Sequence, residues 1–303
     1  MSQADDASVR TVLVAVAANL LVALAKGVAA AVTGSAALLA ETTHSVADAF
    51  NEALLYVGVR RGARPVDERH PFGYGQARYA WSLLAAVGIF VVGGLFAIDD
   101  GIRTLRDPEP VTDVPVGVAV LLVSAALEGV SWRTARRQLR AEAAARHLDL
   151  SEYLATSSDP TPTAVFLEDS AALLGLALAM AALLLRVVTG SALWDGAASL
   201  LIGLLLIVVA YLLIRRNLAL LIDEGAPADV RDRLRRAVAA EPWVAEVADL
   251  TAVYVGPKQL LVLAHVVPVD GADLTAGVGR LRRRLLSLPT IAAVEVTPVA
   301  PPG

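Results

Sequence analysis

Six stretches of the chain, residues 11–32, 36–59, 79–98, 114–132, 164–188 and 192–214, are apolar almost without interruption. Each is close to the roughly 20 residues that a helix needs to cross a bilayer. The first two are separated only by Thr33-Gly34-Ser35, and the last two only by Thr189-Gly190-Ser191. Both junctions predict tight hairpins between antiparallel helices. After Asp223 the pattern changes. Residues 227–240 have an amphipathic helical period, with Arg231, Arg233, Arg235 and Arg236 among them. Strand-like runs follow at 247–255 and 260–267, divided by Gly256-Pro257; then come a second helical pattern at 274–286 and a last strand at 291–296. The reading is a six-helix membrane bundle over residues 11–222 behind a tail of residues 1–10. A small α+β domain of order α-β-β-α-β over 223–303 follows.

Composition sharpens this picture. Of 303 residues, 56% are hydrophobic and 18% charged, against about 45–50% and about 25% in soluble domains. Six such runs as buried core helices of a soluble protein would be exceptional. A net charge of −4 gives no sign of nucleic-acid binding. Cysteine is absent, so any metal must be held by nitrogen and oxygen. The short acidic start, MSQADDASVR, is not followed by a small-residue cleavage site, and no cleaved signal peptide is expected. Arginines set the orientation. Arg60, Arg61, Arg64, Arg69 and Arg78 follow the second run, Arg133, Arg136, Arg137, Arg140 and Arg146 lie in a loop after the fourth, and Arg215 and Arg216 follow the sixth. The other side has Arg103, Arg106 and Arg186 beside Asp107, Glu109 and Asp113. The positive-inside rule then places both termini in the cytoplasm of a multi-pass protein of the plasma membrane.

The chemistry lies in the second run. Glu41, His44, Asp48, Asn51 and Glu52 are spaced to share one face of a helix. An ionisable group within a membrane costs roughly 3 kcal/mol or more, so a stripe of them needs a reason. His44 and Asp48, one turn apart, can reach a single ion. The fifth run adds Glu168 and Asp169, with Asp159-Pro160-Thr161-Pro162 reading as the start of that helix. At 1.5 Å per residue, Asp48 and Asp169 both fall roughly 12 Å from the inner face of the bilayer. One imidazole and two or three carboxylates suit Zn²⁺, and also Mn²⁺, Fe²⁺ or Co²⁺. Metal and protons would compete for these groups, which is the physical basis of an exchanger. The alternative is that they pair with arginine, with water or with one another between helices. Asn19 and Lys26 in the first run and Glu128 in the fourth either line a path or make interhelical hydrogen bonds. Glu41, Asn51 and Glu52 stand as path or supporting groups.

Three motifs together resemble the cation diffusion facilitator family: His44-Ser-Val-Ala-Asp48, the loop His70-Pro-Phe-Gly-Tyr-Gly-Gln-Ala-Arg78-Tyr79, and Ser158-Asp-Pro-Thr161 leading into Glu168-Asp-Ser170. The resemblance covers nearly the whole chain. It implies a homodimeric antiporter that moves divalent metal, usually zinc, out of the cytoplasm in exchange for protons, with no permanently bound cofactor. It also implies a transport site built from paired residues on spans two and five. His44 and Asp48 match the first pair and Asp169 one member of the second. The remaining position is Val165, which cannot ligate, and Glu168 is the adjacent substitute. The resemblance is to the branch with a Glu-Asp pair in span five. The family often holds further metal in its cytoplasmic domain through several histidines; here that domain has only His265. His265 and His70 are therefore secondary metal candidates set against plain structural roles. Two other functions compete. An intramembrane metal hydrolase needs a general base and a substrate cavity, and nothing resembles H-E-x-x-H. A membrane metal sensor would need a signalling segment, and none is visible. The expectation is a transporter, not an enzyme.

Overall fold

The computed structural model describes residues 20–107 and 113–300. Asn19 and the first part of the first apolar run lie outside the described residues. The helices are α1 (Leu20–Thr33), α2 (Ala36–Gly62), α3 (Ala77–Arg106), α4 (Val114–Ala145), α5 (Leu150–Thr156), α6 (Pro160–Thr189) and α7 (Leu193–Leu221). They are followed by α8 (Ala228–Ala239), β1 (Val244–Gly256), β2 (Gln259–Pro268), α9 (Leu274–Leu286) and β3 (Ile291–Pro298). The chain separates into two compact units.

The helical unit takes in the described residues up to Val57, then Trp81–Ala155 and Thr161–Arg216. Among the described residues, α3, α4, α6 and α7 are long and apolar enough to cross a membrane. Of the six expected spans these are the four that meet that measure. α2 is 27 residues long but carries the polar stripe, and α1 is described only from Leu20. Outward faces are oily: Leu122, Val123, Leu127 and Val130 of α4 and Leu201, Leu204, Val208 and Leu212 of α7 are exposed. Such a surface suits lipid, because helices satisfy their own backbone and present only side chains outward.

Both predicted hairpins form by one device. Gly34 and Gly190 take left-handed φ values of 67° and 69°, the conformation that glycine adopts without strain at a helix end. The threonine before each glycine turns its hydroxyl back onto the preceding turn, Thr33 Oγ1 to Ala29 O at 2.7 Å and Thr189 Oγ1 to Leu185 O at 2.8 Å. Helices α3 and α7 approach through facing glycines. A Cβ on Gly101 would lie 2.9 Å from Gly196 O, and one on Gly203 would lie 2.9 Å from Gly94 O. Ser199 Oγ donates to Ala97 O at 2.8 Å within this seam, the close packing expected of small residues between membrane helices. Gly93 and Gly94 sit in a π-helical stretch of α3, Ile89–Leu95.

One expectation is corrected here. Arg133, Arg136, Arg137 and Arg140 are not in a loop: α4 continues through them to Ala145. The segment is made of strong helix formers, and Ala135, Leu139 and Ala143 form a buried stripe at four-residue spacing. Leu139 and Ala143 of that stripe pack with Tyr153 of α5, whose hydroxyl donates to Glu142.

The second unit comprises Gly58–Ala80, Thr156–Pro160 and Asn217–Gly303 within the described range. Its sheet has the order β1-β2-β3. β1 and β2 are antiparallel, and β2 and β3 parallel, so α9 is the crossover. Gly256 pairs with Gln259 across the hairpin, with Pro257 and Lys258 at the corner. Lys258 has φ 58°, as the third residue of a type II turn requires. Leu234 and Val238 of α8 and Leu281 and Leu285 of α9 share one core with Val262, Ala264 and Val266 of β2. The His70–Tyr79 loop belongs to this unit. Tyr79 is buried in the same core, its hydroxyl donates to Ser158 O at 3.0 Å, and Gln76 Nε2 donates to Asp223 Oδ1 at 3.1 Å.

Candidate metal site

The polar face of α2 is turned into the helical unit. Glu41, His44, Ser45 and Asn51 are buried. His44 Nδ1 stands 3.4 Å from Asp48 Oδ1, as the one-turn spacing foretells. Neither ring nitrogen of His44 nor Asp48 Oδ1 makes a hydrogen bond among the described residues. Further toward the start of α2, Lys26 of α1 pairs with Glu41 at 3.2 Å and donates to Ser45 Oγ at 2.7 Å.

From α6, Glu168 and Asp169 face this stripe. Asn51 Nδ2 donates to Glu168 Oε2, while Glu168 Oε1 is buried with no hydrogen bond. Asp169 Oδ2 accepts from Ser131 Oγ of α4 at 2.7 Å. A cavity of about 30 Å³ lies between these helices, lined by Val22, Ser45, Asp48, Glu52, Glu128, Val165, Glu168 and Asp169. That is room for one ion or a water. Five of the eight lining side chains are carboxylates, from α2, α4 and α6. Among the described residues no lysine, arginine or histidine is part of its wall. One lysine, Lys26, reaches Ser45 of the wall and is already paired with Glu41. Five carboxylates exceed that one positive charge, and such an excess is unfavourable in a medium of low dielectric, so the arrangement is chemically apt for a cation or for protons.

The structure sorts the sequence candidates. Asp48, Glu168 and Asp169 share the cavity, and so does Glu52. His44 is adjacent to Asp48 but not part of the wall. Glu41 is turned to Lys26 and Asn51 to Glu168. Among the described residues no three His, Asp or Glu side chains are drawn together as a ready metal cluster. Val165, where the family resemblance would place a ligand, is itself in the wall. Glu128 is the site residue to which sequence reasoning gave the least weight. Its signal is the i, i+3 pairing with Ser131 on one face of α4: Ser131 reaches Asp169, and Glu128 reaches the cavity.

The secondary candidates lie in the other unit. His70 Nδ1 is 3.4 Å from Asp67 Oδ1, and its ring lies 3.9 Å from that of Tyr74. Tyr74 Oη donates to Asp67 Oδ2 at 2.7 Å. This bond above all holds the Asp67 carboxyl below its ordinary pKa, and it raises that of Tyr74. His265 stands opposite Asp249 across β1 and β2, with 3.8 Å between Nδ1 and Oδ2 and both side chains exposed. Each of these histidines has one carboxylate neighbour at the surface.

Residues 12–222 match the family model of the cation efflux transmembrane domain. The chain belongs to the cation efflux, or cation diffusion facilitator, family. That is a family of transporters, not of enzymes. Over 266 residues it is 34% identical to the mitochondrial proton-coupled zinc antiporter SLC30A9 of Xenopus laevis, covering 88% of this chain and 47% of that protein. It is 34% identical over 262 residues to metal tolerance protein C4 of Arabidopsis thaliana, covering 86% and 57%. A shorter match, 38% over 93 residues and 30% of each chain, is to the cation-efflux pump FieF of Yersinia pestis. The chain thus spans about half the length of the first two relatives.

Proposed function

We propose that this protein exchanges a divalent metal cation, zinc in the first instance, for protons across the plasma membrane, exporting metal from the cytoplasm. The observation that carries the reading is the small cavity between α2, α4 and α6 with five carboxylates in its wall and His44 one turn from Asp48. The names of the zinc-antiporter relatives support it. Asp48, Glu168, Asp169 and His44 hold the ion. Carboxylate and imidazole bind metal only when deprotonated, so each ion displaces protons, and the load taken to the far side can be reversed there. Asn51 holds Glu168 and Ser131 holds Asp169, fixing the side chains that close on the ion. We further propose that both termini are cytoplasmic, following the arginine asymmetry, and, from the family resemblance, that the chain forms a homodimer.

A second reading has its own support. The cavity wall offers oxygen only, and Val165 supplies no donor. Oxygen-rich sites favour Mn²⁺ or Fe²⁺ more than sites with several imidazoles do. Flux into proteoliposomes across a panel of Zn²⁺, Mn²⁺, Fe²⁺ and Co²⁺, with and without a pH gradient, decides between them. Zinc flux driven by the gradient supports the first reading, and manganese or iron flux the second. No flux of any of the four sinks both and returns the sensor alternative.

A further inference from the structure

Helix α2 carries half of the candidate site, and its first turn is capped from across the bundle. Four N–H groups at a helix start have no partner within the helix, and in an apolar surround they must find one. Ser35 does part of this locally: its Oγ accepts from Leu38 N at 3.3 Å. Ser35 N itself donates to Thr33 Oγ1 at 3.3 Å, and the remaining two are met by a residue 159 positions away. Asp195, in the first turn of α7, accepts from Ala36 N at 2.6 Å through Oδ2 and from Ala37 N at 3.2 Å through Oδ1. Oδ1 also accepts from Ser35 Oγ at 2.6 Å. The same carboxylate pairs at 3.3 Å with Arg186, in the last turn of α6. Asp195 is fully buried. Its negative charge sits at the positive end of the α2 dipole, and Arg186 at the negative end of the α6 dipole.

One carboxylate therefore ties the end of α2 to the end of α6. These are the two helices that carry Asp48 on one side and Glu168 and Asp169 on the other. We infer that Asp195 is a positioning residue that sets the register of the two site helices. It does so from the end of the bundle opposite the arginine-rich segments. It touches no ion; it acts through Ser35, the α2 backbone and Arg186. The inference rests on the reading of α2 and α6 as the ion-holding pair, but its geometric content can be tested without transport.

The test uses the full chain in lipid. The chain has no cysteine, so spin labels go on introduced cysteines at two exposed positions, Val46 of α2 and Leu174 of α6. Labelled chain is diluted with unlabelled chain, and the inter-label distance is read by pulsed electron resonance. In the parent a single narrow distance is expected. Asp195→Ala should broaden or shift it, and Asp195→Asn, which keeps one acceptor oxygen, should do so to a smaller degree. Asn also serves if Ala fails to fold. The same variants should raise the KM for Zn²⁺ uptake by roughly 10–100-fold, the range seen when supports of a metal site are removed. Vmax per folded molecule should fall less. An unchanged distance distribution in a folded variant overturns the inference, and so does an unchanged KM beside a lowered thermal midpoint, which would leave Asp195 only a cap. If the parent moves none of Zn²⁺, Mn²⁺, Fe²⁺ and Co²⁺, the transport reading falls while the distance measurement still decides the positioning role.

Discussion

The two units of this chain treat buried polarity in opposite ways. In the unit that holds the sheet, Ser157, Ser158 and Asn217 are buried, but from residue 227 onward the charged, amide, serine and threonine side chains of the described residues are not. Among the described residues from 227 onward only Trp243 Nε1 is buried without a hydrogen bond. The core beneath is Val, Leu, Ile and Ala from three strands and two helices. In the helical unit, Glu41 Oε1, both His44 nitrogens, Asp48 Oδ1, Asn51 Oδ1 and Glu168 Oε1 are buried without hydrogen bonds. Each such group costs about 1–3 kcal/mol or more, and more where no water is at hand. Selection for stability alone would remove them. Their concentration on one face of α2 and its partner on α6 marks where the molecule departs from an optimally stable fold. Such departures are expected at working sites.

The largest effect should come from breaking the contrast at its polar end. Asp48→Ala and Asp169→Ala should each reduce metal flux in proteoliposomes to background. The thermal midpoint of the full chain should hold or rise for Asp48→Ala, whose Oδ1 is buried without a hydrogen bond, and fall only slightly for Asp169→Ala, which gives up the Ser131 hydrogen bond. A fall in stability equal to that of a core truncation would put both residues in a structural role. The opposite outcome is expected in the sheet domain. Leu281→Ala should cost about 2–5 kcal/mol, as buried leucine truncations do, seen as a shift in unfolding of the full chain, and the ranking of transported metals should be unchanged.

Smaller effects sharpen the picture. Glu128→Gln should lower flux by roughly tenfold, at the low end for groups around a metal site; unchanged flux would return Glu128 to a bystander. Val165→His puts a nitrogen donor into an oxygen wall and should shift preference from Mn²⁺ toward Zn²⁺ by roughly tenfold, read from competitive uptake of the two ions. The smallest concerns Asp67. Its carboxyl is held below the ordinary value chiefly by the Tyr74 hydroxyl. A lowered pKa means that its contribution is present above the ordinary carboxylate value and lost as pH falls through the lowered one. Tyr74→Phe should move the Asp67 titration, followed by carboxyl carbon resonance, up toward its ordinary value, with little change in stability at this exposed site.

Much of this was legible from residue order. The strand runs at 247–255 and 260–267 fall within β1 and β2, and the Thr-Gly-Ser repeats mark two helix junctions. Counting residues along helices of constant rise placed Asp48 and Asp169 at a similar level, and the two line one cavity. The extension of α4 was hidden because arginines signal a loop by the charge rule and a helix by propensity. The buried stripe at Ala135, Leu139 and Ala143, which favours the helix, is visible only once α5 is packed against it. Lys26 and Glu41 carried no signal of pairing, being on different helices.

From the sequence by itself came the family, the apolar helices, the α+β tail and the polar face of α2. The helices, the tail and the polar face are properties of local period and composition; the family came from the resemblance of three motifs. Only the tertiary structure decided which groups share the cavity, that Glu128 stands in its wall while His44 stands beside it, and that Asp195 caps a helix 159 residues away. Those are matters of helix rotation and register. They are set by the sum of many weak packing contacts along facing surfaces, of which no single stretch of residues holds a record.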